Sequence, residues 1–189
     1  MREIDPDARL MLSFADGDAA AFDKLFERWK GPLLRYLDRI VHDPASAEEL
    51  VQETFLRVHR ARDRYLAEAK FSTWLYRIAT NLAFNELRRP ASRHRHTSTE
   101  ELQESAELAT RQPGPEEIVH AKLLGEALSA EFSQLPERQR VALWLCAVEG
   151  LSYLEIADVL ETTSKSIKAL IHRARTKLAE RMAAREADA

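Results

Sequence analysis

Between Phe71 and Arg89 the chain carries side chains able to handle nucleic acid, set at helical spacing. Arg77, Asn81, Phe84, Asn85 and Arg88 recur at i, i+4, i+7, i+8 and i+11, which gathers them on one helix face. Guanidinium groups hold phosphates, carboxamides read base edges and an aromatic ring stacks on an unpaired base. Phe71, Leu75, Ile78 and Leu82 make an apolar stripe on another face, so the same helix can be anchored in a core. By spacing alone the polar stripe reads equally as a solvated face with one stray aromatic. Just ahead, Asp63–Lys70 has room for a short loop. There Arg64 or Lys70 is placed to meet phosphate, and Tyr65 either stacks on a base or packs on its own domain.

A second group of basic residues lies near the C-terminus. Ile167, Leu170, Ile171, Ala174 and Leu178 form a core stripe, while Lys165, Lys168, Ala169, His172 and Thr176 repeat the spacing about 200° round the helix. Six Lys or Arg stand against one Glu between Thr162 and Arg181, in a chain whose formal net charge is −3. Such local segregation outweighs the acidic sum as a guide to partners. Upstream, a helix from Pro136 continues through the apolar run Val141–Val148 and is expected to end at Gly150. Ser152 and Glu155 have capping-box spacing, Glu161–Ser164 makes a turn, and Thr163 or Ser164 can cap the last helix. A short helix, a tight turn and a basic second helix are the parts of a helix-turn-helix suited to the major groove.

The third group is acidic. Ala47, Leu50, Val51, Thr54, Phe55 and Val58 line one helical face, and Glu48, Glu49, Gln52 and Glu53 another. That patch repels phosphate. It serves either helix-dipole complementarity or docking of a basic protein partner.

Composition supports an all-α protein: 45% hydrophobic residues suffice for a core, and there are only 5 Gly and 7 Pro in 189 residues. Helical patterning over residues 7–90 is expected to break at Lys30–Pro32 and at His42–Pro44, and it returns over 118–185. The intervening 91–117 reads as a flexible polar linker, with the basic knot Arg93-His94-Arg95-His96, several glutamates and a possible short helix near Ser98–Ala109. Two small helical domains on a tether follow. A lone cysteine, Cys146, excludes an internal disulfide, fits a reducing compartment and reads as a buried, inert thiol. With no signal core and no run of ~20 apolar residues, a soluble, cytoplasmic protein is expected, without membrane insertion. Neither metal-ligand spacing, nor a nucleophile–base motif, nor a phosphate loop is present in the sequence. No cofactor, small-molecule substrate or enzymatic activity is therefore expected.

Together these motifs resemble the extracytoplasmic-function (group IV) sigma factors of the sigma-70 superfamily. Ala47-Glu48-Glu49-Leu50-Val51-Gln52-Glu53-Thr54-Phe55 is similar to the segment that binds core RNA polymerase. Phe71–Ala79 with Asn81 and Arg88-Arg89 is similar to the −10 promoter region. Leu135–Arg140, Leu151–Ala157 and Ile171–Arg175 are similar to the −35 domain. The resemblance implies sigma region 2, a linker near the polymerase active-site and RNA-exit channels, and sigma region 4. Glu48, Glu49, Gln52 and Glu53 would dock on the β′ coiled coil, and region 4 on the β flap. The −10 set is Arg64, Tyr65, Lys70, Trp74, Arg77, Asn81, Asn85, Arg88 and Arg89, with Asn81 capturing a flipped base. The −35 set is Ser164, Lys165, Ser166, Lys168, Ala169, His172, Arg173 and Arg175. Glu161 stands where relatives have a turn glycine. The implied role is promoter-specific initiation under control of an anti-sigma factor. A dimeric helix-turn-helix regulator, or a mimic that only titrates an anti-sigma protein, would lack a use for the other motifs.

Overall fold

Helix starts in the first half of the chain are set by aspartates and prolines. The computed structural model describes residues 5–89, 125 and 127–187, and no strand occurs among them. Asp5, Asp18 and Asp43 cap α1 (Pro6–Ala15), α2 (Ala19–Val41) and α3 (Pro44–Arg60), each carboxylate accepting from a first-turn N–H. Pro6 and Pro44 occupy first-turn positions, where a missing N–H costs nothing. A 3-10 turn, Arg62–Arg64, then leads to the loop before α4 (Phe71–Leu87). Lys70 provides no side-chain cap for α4. Instead the Asp5 carboxylate that caps α1 also accepts from the Phe71 N–H at 3.0 Å. One side chain thus closes two helices, from a position just ahead of the boundary expected at residue 7.

The expected break at Lys30–Pro32 is absent, because α2 runs straight through it. Gly31 has no Cβ to clash with the proline ring, and burial of Leu33, Tyr36, Leu37 and Ile40 beyond it offsets one missing helical hydrogen bond. The break at His42 is present: His42 is left-handed (φ 57°) and Asp43-Pro44 restarts the chain. The stripe Ala47–Val58 of α3 is buried as its spacing predicts. In α4 the stripe is broader: Phe71, Leu75 and Leu82 are buried, but so are Tyr76, Ala79, Thr80, Ala83 and Phe84. Phe84 therefore belongs to the core and not to the exposed polar face of α4. Tyr36 anchors α2 to α4, its hydroxyl 2.6 Å from Thr80 Oγ1 while Thr80 donates to the Tyr76 carbonyl.

In the second half, α5 (Glu137–Ala147) ends before Gly150, which turns the chain at φ 68° and lets Leu151 N–H reach the Leu145 carbonyl. Cys146 is half-buried against the core, more open than its apolar surroundings predict. The Ser152–Glu155 capping box starts α6 (Tyr153–Val159). Glu161 makes the turn at φ 50°, and Thr163 accepts from Ser166 N–H to start α7 (Ser164–Ala187). Ile167, Ile171 and Ala174 are buried, Leu170 and Leu178 half-buried, as the stripe predicts. Arg138 donates to the Leu160 carbonyl at the turn, and Arg181 and Arg185 at the tail of α7 meet Glu131 at 3.3 and 3.5 Å.

The two helical domains pack on each other, for one buried cluster runs from Leu33 and Tyr76 to Trp144, Ile156 and Ile171. Arg140, only 5% exposed, donates to the Ile40 carbonyl at 2.9 Å and faces His42 Nε2 at 2.6 Å. Arg39 bonds Ser129, Lys70 pairs with Glu155 at 2.8 Å, and α6 packs along α4. The expected linker 91–117, with His94 and His96, and residues 118–124 lie outside the described residues.

Two expectations follow. An arginine can only donate, so His42 Nε2 must accept and the ring is neutral. Burial first, then the Arg140 and Arg39 charges, push its pKa from 6.5 down to about 4. The unfolded chain takes up this proton near pH 6.5 and the folded chain only near 4. The stability tied to this group is therefore complete above pH 6.5, declines as pH falls toward 4, and levels off below. Urea midpoints measured across that window should fall more steeply for the wild type than for His42→Asn, which keeps an acceptor and tolerates the left-handed backbone. Separately, Glu161→Gly relieves a left-handed non-glycine residue and should raise the unfolding free energy by about 1 kcal/mol in urea titration.

Candidate nucleic-acid interface

Burial of one stripe of α3 forces its opposite face into solvent. Glu48, Glu49 and Gln52 are exposed, and Glu53 is half-buried, paired with Arg57 at 2.9 Å. One turn beyond Gln52, Leu56 is 49% exposed. A leucine off the buried stripe is an apolar addition to the acidic face, and its register in the sequence was the available signal. The face offers negative charge around a small apolar point, which suits a basic protein helix better than a nucleic acid.

On α4, Asn81, Asn85, Arg88 and Arg89 are exposed, with Arg89 paired to Glu86 at 2.7 Å. Arg77 is also exposed, and Trp74 is half-buried. The apolar side of the helix fixes this face: Thr73, Tyr76, Thr80 and Ala83 occupy intervening positions inside the protein. Tyr65 departs from the stacking reading. It is 8% exposed, its ring set edge-on to Trp74 at 4.9 Å and near Phe71 at 6.4 Å. Burial, with the Asp5 and Asp7 charges, pushes its phenol up to about 12. As placed, Tyr65 packs on its own domain, and a base reaches its ring only if the loop moves. The hydroxyls of Tyr65 and Thr73 have no hydrogen-bond partner among the described residues.

These residues form one wall of a cleft of about 500 Å³, with Tyr65, Thr73, Trp74 and Arg77 facing Asp158, Glu161 and Thr162. Lys70 at its rim is ion-paired with Glu155, whereas Arg64 is exposed. Hydrogen bonding and charge from Glu155 raise the Lys70 pKa. Burial works to raise that of Glu155, but bonds from Lys70 and Ser152 outweigh it and hold the carboxyl below its ordinary value. Of the charged and amide residues on the α4 face only Arg77 lines this cleft, and sequence spacing gives no sign of Asp158 and Glu161 opposite it.

The outer face of α7 is free of the core. Lys165, Ser166, Lys168, Ala169, His172, Arg173 and Arg175 are exposed, and Ser164 is half-buried beside the turn. The small Ala169 leaves room for close backbone approach, and the surrounding cations have the chemistry that holds phosphates. Arg138 donating to the Leu160 carbonyl and the Thr163 cap fix the two ends of the turn that presents this face. No described helix is long and apolar enough to cross a membrane.

The chain matches the family model for sigma-70 region 2 over residues 25–93 and that for sigma-70 region 4 over residues 125–178. It is 34% identical over 173 residues to the RNA polymerase sigma-H factor of Pseudomonas aeruginosa, covering 89% of this chain and 90% of that protein. With the ECF RNA polymerase sigma-E factor of Escherichia coli K12 it shares 33% identity over 163 residues, 84% of this chain and 85% of that one. In fold it is similar to the sigma factor RpoE of Bartonella quintana, solved in complex with the anti-sigma factor NepR. The TM-score is 0.66 at 19% identity, over 85% of this chain and 96% of that one. The two family segments, in order and each on the helices just described, together with relatives aligned over most of their length, place this chain in the sigma-70 superfamily as an extracytoplasmic-function sigma factor, a protein that initiates transcription.

Proposed function

We propose that this sigma factor divides promoter recognition among three surfaces. The face Glu48, Glu49, Gln52 and Glu53, with Leu56 at its edge, docks on the coiled coil of the core polymerase β′ subunit, while the C-terminal half meets the β flap. Lys168, Ala169, His172 and Arg173 enter the −35 major groove, with Ser164, Lys165, Ser166 and Arg175 positioning the backbone. Asn81 captures a flipped −10 base, Arg77, Asn85, Arg88 and Arg89 track the strand, and Arg64, Lys70 and Trp74 line its entry. The domains carrying these roles correspond to residues 7–90 and 118–185. One observation carries the reading: exposed side chains are segregated by sign, acidic on α3 and basic on α7, although the chain as a whole is slightly acidic.

Melting then needs no covalent chemistry. Hydrogen bonds and stacking to the extruded base offset an unstacking cost of a few kcal/mol. A protein inhibitor is also proposed, supported by the partner in the Bartonella complex.

Asn81→Ala should lower open-complex formation about tenfold, on a loss of roughly 1.4 kcal/mol of hydrogen bonding to the base. Permanganate reactivity of unpaired thymines reads this directly, and core binding should be unchanged. An effect confined to core binding, or none at all, removes Asn81 from the role. Conversely, Glu48→Lys with Glu49→Lys should weaken core binding about tenfold or more by placing like charges at the interface. Binding of α7 to duplex −35 DNA should be spared, and equal loss in both assays would indicate misfolding rather than docking.

A further inference from the structure

We propose that Asp5 is a positioning residue for −10 recognition: it touches no DNA, and acts by holding the first turn of α4, on which the strand-entry side chains stand. The inference rests on the −10 role given to α4.

The cap of α4 comes from outside its own segment. Lys70, the residue before the helix, supplies no side-chain acceptor. Asp5 Oδ2, 66 positions earlier, accepts from the Phe71 N–H at 3.0 Å while also accepting from the Ala8 N–H at 3.2 Å. Phe71 is fully buried, so without Asp5 its N–H finds no water in exchange. Asp5 is itself held in place. Two residues on, the buried Asp7 pairs with Arg28 and accepts from Trp29 Nε1 at 3.0 Å, which pins α1 to α2. The helix α1 is thus a strap from α2 to the head of α4, and it lies ahead of the sigma-70 region 2 segment that begins at residue 25.

What stands on that turn is the entry side of the −10 surface. Tyr65 sets its ring 6.4 Å from Phe71 and 4.9 Å from Trp74, and shares a buried cluster with Ala8, Met11 and Phe14 of α1. Arg64 directly precedes Tyr65, and Lys70 directly precedes Phe71. An unpaired Phe71 N–H frays the turn Phe71–Trp74 and loosens Arg64, Lys70 and Trp74 together. Fraying stops at Leu75 and Tyr76, both fully buried, so Asn81 and the acidic face of α3 keep their places. Asp5 therefore acts on strand entry, and neither on core docking nor on −35 reading.

The test uses the full chain with core polymerase, on a promoter that the wild-type holoenzyme selects from fragmented genomic DNA. Asp5→Ser keeps a cap for Ala8, as Ser152 does for the Glu155 N–H at 3.3 Å, but is one bond too short to reach Phe71. Asp5→Asn keeps an oxygen that accepts both bonds and removes only the charge. Asp5→Ser should lower permanganate-reactive −10 thymines per bound holoenzyme about three- to tenfold, leaving core binding and −35 duplex binding unchanged. In the free chain it should speed amide exchange at Phe71 but not at Ala8. Asp5→Asn should match the wild type in every assay. Normal melting by Asp5→Ser overturns the inference, and so does a loss of core and −35 binding in step with melting. An equal defect in Asp5→Asn assigns the effect to charge and also overturns it. Asn81→Ala, run alongside, tests the underlying reading: if it melts promoter normally, the −10 role of α4 fails and takes the role of Asp5 with it. If Asn81→Ala is impaired and Asp5→Ser is not, positioning by Asp5 alone is lost.

Discussion

A guanidinium withdrawn from water is costly unless its donors are matched, and the packing of this protein is organised around such a group. Arg140 leaves the first turn of α5 and enters the joint between the two halves. It donates to the Ser133 carbonyl in its own half and to the Ile40 carbonyl in the other, and it faces His42. Burial pulls its pKa down, yet an arginine stays charged, so the surroundings must adapt to the cation. The left-handed turn at His42 does this by ending α2 early, freeing the Ile40 carbonyl from helical bonding and presenting a neutral ring. The apolar cluster between α4, α5 and α6 closes around that joint.

Helices that bury a single stripe were legible from spacing. The face of α3 is the clearest case: Ala47 to Val58 went inward and the carboxylates outward because only one side meets neighbours. The inner and outer faces of α7 followed the same logic. Spacing was misleading on α4, which packs on α2 and α3 on one flank and α6 on another. A helix covered on two flanks buries a wide arc, so Phe84 lies inside although it keeps register with Asn81 and Arg88. Pro32 misled for a related reason: a break signal is local, and the buried residues on both sides of it are not.

The contacts between halves were invisible in the sequence. Lys70 reads as a phosphate contact, Glu155 as half of a capping box and Arg140 as part of a helix start, because nothing local reveals which partner folds across them. The same holds for Asp5, whose second bond to Phe71 joins positions far apart in the chain. Residue types and registers announce surfaces, whereas long-range pairing of polar groups is known only once the chain is folded.

The long α7 has a further consequence. Its 24 residues span about 36 Å at 1.5 Å per residue, but only its first three or so turns carry the outward basic face. The far end is clamped, Arg181 and Arg185 both gripping Glu131. A rigid rod held at its tail behaves as a lever: a small tilt at the clamp becomes a larger displacement at the tip. Glu131 therefore governs how the tail of α7 is held, and a change there alters the seating of the helix without touching its exposed basic face.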